Sequence, residues 1–110
     1  MRILFLCSMN KLRSPTAENV FSVHGGLCVD SAGIDNDAVQ VVSLEQVSDA
    51  DIIFVMENNH KRKLTSKFKE AKGKKIIVLG IPDEYDYMQP ELIDLLKMKV
   101  TPHLKAYQRI

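Results

Sequence analysis

The chain has 110 residues, of which 45% are hydrophobic and 26% charged, and its formal net charge is +1 at pH 7. This composition excludes a disordered, fibrous or disulfide-rich protein, and the length predicts one domain over residues 1–110. A net charge near zero provides no overall field that would recruit nucleic acid or a membrane. Two cysteines are typical of reduced thiols, and we see no signal peptide or membrane-spanning apolar run, so we expect a cytoplasmic protein.

Apolar runs alternate with helical segments along the chain. We predict strands over residues 3–6, 27–31, 51–56 and 75–79. We expect helices to begin at Ser14-Pro15, with serine as N-cap, at residue 43, at Asn58 and at Pro90. The first should end at Gly25-Gly26, and the third should run to Ala71. This alternation predicts an α/β fold, with three α/β/α layers around a four-stranded parallel sheet in the order 2-1-3-4.

The loop after the first strand, residues 7–15, combines residue types suited to phosphate chemistry. A turn closing onto a helix N-terminus aims backbone N–H groups at one point and creates an anion site. A cysteine there, Cys7, is favoured as a thiolate, and the Arg13 guanidinium matches two phosphate oxygens. Ser14 could donate its hydroxyl proton to the thiolate, and Asn10 tolerates the positive φ that a loop without glycine needs. The other predicted phosphate-binding residues of this loop are Ser8, Met9, Lys11 and Leu12.

Cys7, five intervening residues and then the run from Arg13 to Glu18 resemble the phosphate loop of low-molecular-weight protein tyrosine phosphatases. The resemblance implies that Cys7 is the nucleophile, that Arg13 binds the phosphoryl group, that Asn10 shapes the loop and that Ser14 steadies the thiolate. It extends to residues 31–33 and 49–57. The short motif alone could arise by chance, but its position between a strand end and a helix start favours the functional interpretation.

Residues 81–87 resemble the acid loop of the same family. Hydrolysis of a phosphate ester requires a proton for the leaving oxygen. The resemblance assigns that proton to Asp83, which then serves as base for the water that hydrolyses the phosphocysteine. Glu84 stands where the family has proline, so Glu84 and Asp86 remain alternatives for the acid. Tyr85 would flank a substrate ring or pack on the final helix.

Two further features depart from the family. The loop after Gly33 is short, which makes the chain a short variant and leaves the substrate open. The family's histidine that braces the asparagine and serine has no clear counterpart, and Asn36 falls nearest to it.

His60, in a run of basic residues, is expected on a solvated helix face. Cys28 is expected to be a small buried hydrophobe about 10 Å from the site, too far for an unstrained disulfide.

These features predict a phosphomonoester hydrolase, with a protein-tyrosine phosphatase as the leading interpretation. The expected substrate is a phosphorylated protein or a small phosphomonoester, and the loop would hold phosphate or another oxyanion. We expect no metal and no other cofactor. A thiol-dependent arsenate reductase uses the same loop but needs further redox cysteines, and only Cys28 is present. A non-catalytic phosphate-binding regulatory domain is the third interpretation.

Overall fold

The computed structural model describes residues 1–105. Four parallel strands form one sheet in the order β2-β1-β3-β4, which confirms the predicted class and strand order. The strands are β1 (Arg2–Cys7), β2 (Cys28–Gly33), β3 (Ile52–Val55) and β4 (Lys75–Val78). The helices are α1 (Arg13–Phe21), α2 (Leu44–Asp49), α3 (Asn58–Lys67) and α4 (Pro90–Leu104), and a 3₁₀ helix (Lys69–Gly73) follows α3.

The sheet separates two hydrophobic cores because successive side chains of a strand point to opposite faces. On one face Phe5 packs with residues of α1 and α4, and its ring lies 5.7 Å from Phe21 and 5.3 Å from Phe54 between centroids. On the other face Leu4 and Leu6 pack with residues of α2 and α3. The predicted three-layer arrangement is therefore confirmed.

The register of the sheet brings the strand ends together at one edge. Cys7, the last residue of β1, lies opposite Gly33, the last residue of β2, and Leu6 lies opposite Val55 at the end of β3. The loops after all four parallel strands leave this edge, which is where ligands bind in open α/β sheets. Within residues 1–105, no helix is long and apolar enough to cross a membrane.

Two helices end earlier than predicted. α3 stops at Lys67 instead of Ala71, because Phe68 adopts an extended conformation and packs against the α2/α3 core before the 3₁₀ helix begins. α1 stops at Phe21, and a turn through Gly26, whose φ is +84°, leads into β2. Neither difference moves the loops at the strand ends.

Candidate active site

Cys7 lies at this edge at the end of an interior strand, and the residue is only 3% exposed. The backbone N–H of Asn10 donates to Cys7 Sγ at 3.2 Å, and Ser14 Oγ lies 2.9 Å from the same sulfur. Asn10 has φ +56°, as expected for a loop that turns back over the sulfur without a glycine. Donors placed in this way stabilise a thiolate, the form of cysteine that acts as a nucleophile.

The Ser14 side chain contacts the thiol and does not cap the helix, so its predicted role as N-cap is wrong. α1 begins one residue earlier, at Arg13, after an N-cap residue, Leu12, whose side chain makes no capping bond. The Ser14 hydroxyl oxygen accepts from Asn10 Nδ2 at 3.0 Å, which leaves its proton for Cys7 Sγ at 2.9 Å or the carbonyl of Ala32 at 3.3 Å. The shorter distance favours the sulfur.

A buried polar network fixes the asparagine side chain. Asn10 Nδ2 also donates to Ser31 Oγ at 3.0 Å, and the Ser31 hydroxyl in turn donates to the carboxylate of Glu18. Asn36, suggested above as the brace, is exposed on the surface, so that suggestion is wrong. Ser31 and Glu18 brace the loop instead, and both lie in segments that the family resemblance already included.

Arg13 is held from outside the loop, and its side chain is 3% exposed. Its Nη1 donates to Glu57 Oε2 at 2.5 Å and to the carbonyl of Ile81 at 2.8 Å. The hydrogen bond from Arg13 keeps the pKa of Glu57 below its ordinary value, while burial acts in the opposite direction. A guanidinium has five N–H donors, so Arg13 keeps donors for a bound anion. Glu57 is a site residue that no motif in the sequence indicates.

A cavity of about 110 Å³ opens beside the thiol. Asp83 lies on this cavity with its side chain 63% exposed, and its Oδ1 is 3.8 Å from Arg13 Nε. Glu84 and Asp86 are exposed and do not line the cavity, and Tyr85 is half-buried against the α1/α4 core. The structure therefore brings together most of the predicted site residues but not Tyr85. The lining residues are Cys7, Ser8, Met9, Lys11, Leu12, Arg13 and Asp83.

Comparisons with family models and with curated protein sequences gave no match. Solved structures match at nearly full length. Wzb from Vibrio vulnificus, in complex with benzylphosphonate, is 26% identical with TM-score 0.76, over 96% of this chain and 97% of that one. YwlE from Bacillus subtilis, a mutant, is 25% identical with TM-score 0.73, over 96% and 99%. The low-molecular-weight protein tyrosine phosphatase SP-PTP from Streptococcus pyogenes is 17% identical with TM-score 0.81, over 98% and 93%. Over nearly its full length this chain has the fold of the low-molecular-weight protein tyrosine phosphatases. Other matching structures are named as arginine phosphatases.

The short loop after β2 packs against the phosphate loop. The N–H of Asp35 donates to the carbonyl of Ser8, and the N–H of Val39 to that of Met9, both at 3.0 Å. A Cβ at Gly33 would lie 2.7 Å from the Ser8 carbonyl oxygen and 2.4 Å from the Ala38 Cβ, so only glycine allows this close approach. The loop after β2 thus supports the backbone of the phosphate loop at Ser8 and Met9.

His60 contradicts the expectation of a solvated residue. Its side chain is fully buried, with Nε2 2.8 Å from Ser8 Oγ, and Nδ1 accepts from the Glu57 backbone N–H at 3.1 Å. The basic residues that follow it, 61–63, are exposed, so the helix turns His60 inward and its neighbours outward. The capping-box spacing between Glu57 and His60 at a helix start is the sequence signal that would have placed it.

Cys28 is exposed, which corrects the expectation of a buried residue. It begins β2, an edge strand, and pairs with Arg2, whereas Cys7 pairs with Gly33. Five residues along a strand place the two cysteines about 17 Å apart, well beyond disulfide reach. Cys28 lies instead on a cavity of about 350 Å³ at the start of the strands, away from the nucleophile. An internal thiol relay, as arsenate reduction would need, has no second cysteine near Cys7 within residues 1–105.

Proposed function

We propose that this phosphatase hydrolyses phosphomonoesters through a phosphocysteine formed on Cys7, with tyrosine-phosphorylated proteins as its substrate class. One observation carries the proposal. A single small cavity is lined by a nucleophile, an anion-binding guanidinium and a carboxyl group, namely Cys7, Arg13 and Asp83. The reaction requires attack on phosphorus, neutralisation of the phosphoryl oxygens and proton transfer. Cys7, Arg13 and Asp83 supply these in that order.

The first step transfers the phosphoryl group to the enzyme. Backbone N–H groups of the loop and the Arg13 guanidinium hold the phosphoryl oxygens, and the Cys7 thiolate attacks phosphorus from the opposite side to the leaving oxygen. The S–P bond forms as the P–O bond to the leaving group breaks, and the Asp83 carboxylic acid gives that oxygen its proton. The exposed position of Asp83 suits a donor to a leaving group that extends towards solvent.

The second step regenerates the thiolate. The Asp83 carboxylate takes a proton from a water molecule as that water attacks phosphorus, and the S–P bond breaks to release inorganic phosphate. The sulfur recovers its negative charge next to the Ser14 hydroxyl and the Asn10 N–H, so both donors lower the barrier to its departure.

Asp83→Asn is expected to lower kcat/KM for phenyl phosphate by about 100-fold, because phenolate is a poor leaving group without a proton. The loss should be clearly smaller for para-nitrophenyl phosphate, whose leaving group needs little protonation. Steady-state rates of both proteins on both substrates test the assignment.

The two other acidic residues of the same loop are the matched controls. Glu84→Gln and Asp86→Asn should each stay within about twofold of wild type, because neither side chain lines the cavity. A leaving-group-dependent loss in either of these variants, with Asp83→Asn unaffected, would transfer the acid role to that residue.

Dephosphorylation of phosphoarginine is a second candidate, since some matching structures are named as arginine phosphatases. The exposed acidic residues Asp83, Glu84 and Asp86 would attract a guanidinium leaving group, whereas the cation of Lys11 on the cavity would repel it. Two peptides that differ only in phosphotyrosine or phosphoarginine separate the candidates. We expect the higher kcat/KM on phosphotyrosine, and the reverse order would assign the arginine activity.

A further inference from the structure

We propose that His60 is a positioning residue for oxyanion binding, which as a neutral imidazole holds Ser8 and Glu57 in fixed relation and releases them when it is protonated. The inference rests on the proposed function only for its kinetic consequences. Ser8 follows the nucleophile, and Glu57 is the ion-pair partner of Arg13, so His60 connects both ends of the phosphate loop. No atom of His60 lines the cavity, so its effect must pass through these neighbours.

The hydrogen bonds define the tautomer of His60. A backbone N–H can only donate, so the Glu57 N–H requires an unprotonated Nδ1 as its acceptor. The single proton of the neutral ring is therefore on Nε2, from which it is donated to Ser8 Oγ at 2.8 Å. Because the Ser8 oxygen accepts from His60, the Ser8 hydroxyl proton remains available. Ser8 lines the cavity, so it can donate this proton to a bound anion.

The same histidine supports the arginine end of the loop. Its Nδ1 fixes the backbone at Glu57, and the carboxylate of Glu57 bonds to Arg13 Nη1 at 2.5 Å. A second proton on His60 would set an Nδ1–H against the Glu57 N–H, donor against donor. Either the ring or the backbone at Glu57 must then move, and the anchor of the Arg13 guanidinium moves with it.

Burial, together with nearby cations, keeps His60 neutral near pH 7. Burial is the largest cause that lowers the pKa of His60 below its ordinary value of 6.5, and the cations of Arg13 and Lys63 act in the same direction. The carboxylates of Glu57 and Asp35 oppose them. Because the folded-state pKa is lowered, the ordered loop is fully present above about pH 6.5 and is lost as the pH falls through the lower folded-state value.

Sulfate binding by the full chain tests the inference without any need for turnover. All variants carry Cys7→Ser, so that the nucleophile contributes no charge, and sulfate keeps its charge over the range of about pH 5–8 in which a histidine titrates. Protonation of nearby carboxylates would strengthen anion binding on acidification. A decrease in affinity over this range therefore has the sign expected for the release of the loop by His60.

Two substitutions separate the two contacts of the ring. His60→Asn keeps an acceptor near the position of Nδ1 but loses the bond to Ser8, whereas His60→Gln keeps a donor near Nε2 but loses the bond from Glu57. Each should weaken sulfate binding at pH 7 by about tenfold, the effect of one lost buried hydrogen bond. Both should also lack the decrease in affinity that the parent shows on acidification. Ser8→Ala should weaken binding in the parent but add nothing to His60→Asn.

Unchanged sulfate affinity in both His60 variants, or an acid-induced decrease that survives in both, would overturn the proposal. Thermal unfolding at pH 7 identifies any variant that fails to fold, and in that case Ser8→Ala tests the same contact from its other side.

With Cys7 restored, the His60 variants should raise KM for para-nitrophenyl phosphate more than they lower kcat. If the protein with Cys7 turns over normally but the Cys7→Ser parent shows no decrease in sulfate affinity on acidification, the role of His60 alone is refuted. If the parent shows that decrease but the protein with Cys7 has no turnover, the proposed hydrolase activity alone is refuted.

Discussion

Replacement of Cys7 by serine is expected to lower kcat for para-nitrophenyl phosphate by at least about 10⁴-fold, because a hydroxyl in this loop is a far weaker nucleophile than a thiolate. The structure gives the reason for so large an effect. Among residues 1–105, Cys7 is the only cysteine that lines the cavity, and its sulfur lies within hydrogen-bond distance of the Asn10 N–H and the Ser14 hydroxyl. Steady-state assays at neutral pH measure the loss.

Cys28→Ser is the matched control, since that thiol is exposed and about 17 Å from Cys7 along the strand. Its activity should equal that of the wild type. Cys7→Ser should still bind phosphate, because the backbone N–H groups and Arg13 remain in place. Full hydrolysis by Cys7→Ser would disprove nucleophilic catalysis by this residue.

Arg13→Lys should lower kcat/KM by about 10³-fold and weaken phosphate binding, although the positive charge is conserved. A lysine ammonium is a single point of charge. It cannot bond to Glu57 and the Ile81 carbonyl while it also presents a planar pair of donors to phosphate. Parallel measurements of kcat/KM and of the phosphate dissociation constant test the effect.

Arg62→Lys, an exposed change of the same type on α3, is the control and should leave both quantities unchanged. A loss of less than about tenfold in Arg13→Lys would show that charge alone is required, and that the bidentate geometry of the guanidinium is not.

The features that the sequence predicts correctly are those determined by short stretches of chain. The apolar run of β1 and the regular alternation of strands and helices determine the parallel sheet and its two cores. The phosphate loop is also local. Asn10, predicted from its tolerance of positive φ, turns the loop over Cys7 within four residues. Helix ends were less accurate, since tertiary packing of Phe68 ended α3 early.

The residues that were missed depend on contacts between distant parts of the chain. Glu57 bonds to a residue 44 positions away and His60 to one 52 positions away. These contacts exist because β3 lies beside β1, which brings the start of α3 against the phosphate loop. Periodicity alone cannot place such partners. Ser14 shows the related limit, since a residue with strong N-cap preference is used by the thiol instead.

The most direct test of the proposed mechanism is the mass of the protein, quenched in acid during hydrolysis of para-nitrophenyl phosphate. The Asp83→Asn variant is the suitable protein for this measurement. Para-nitrophenolate leaves with little help from an acid, so the phosphocysteine still forms, but its hydrolysis is slow because the variant lacks the base that activates water. We predict the added mass of one phosphoryl group, on the peptide that contains Cys7. Continued turnover with no adduct, or with an adduct on another residue, would contradict a phosphocysteine mechanism.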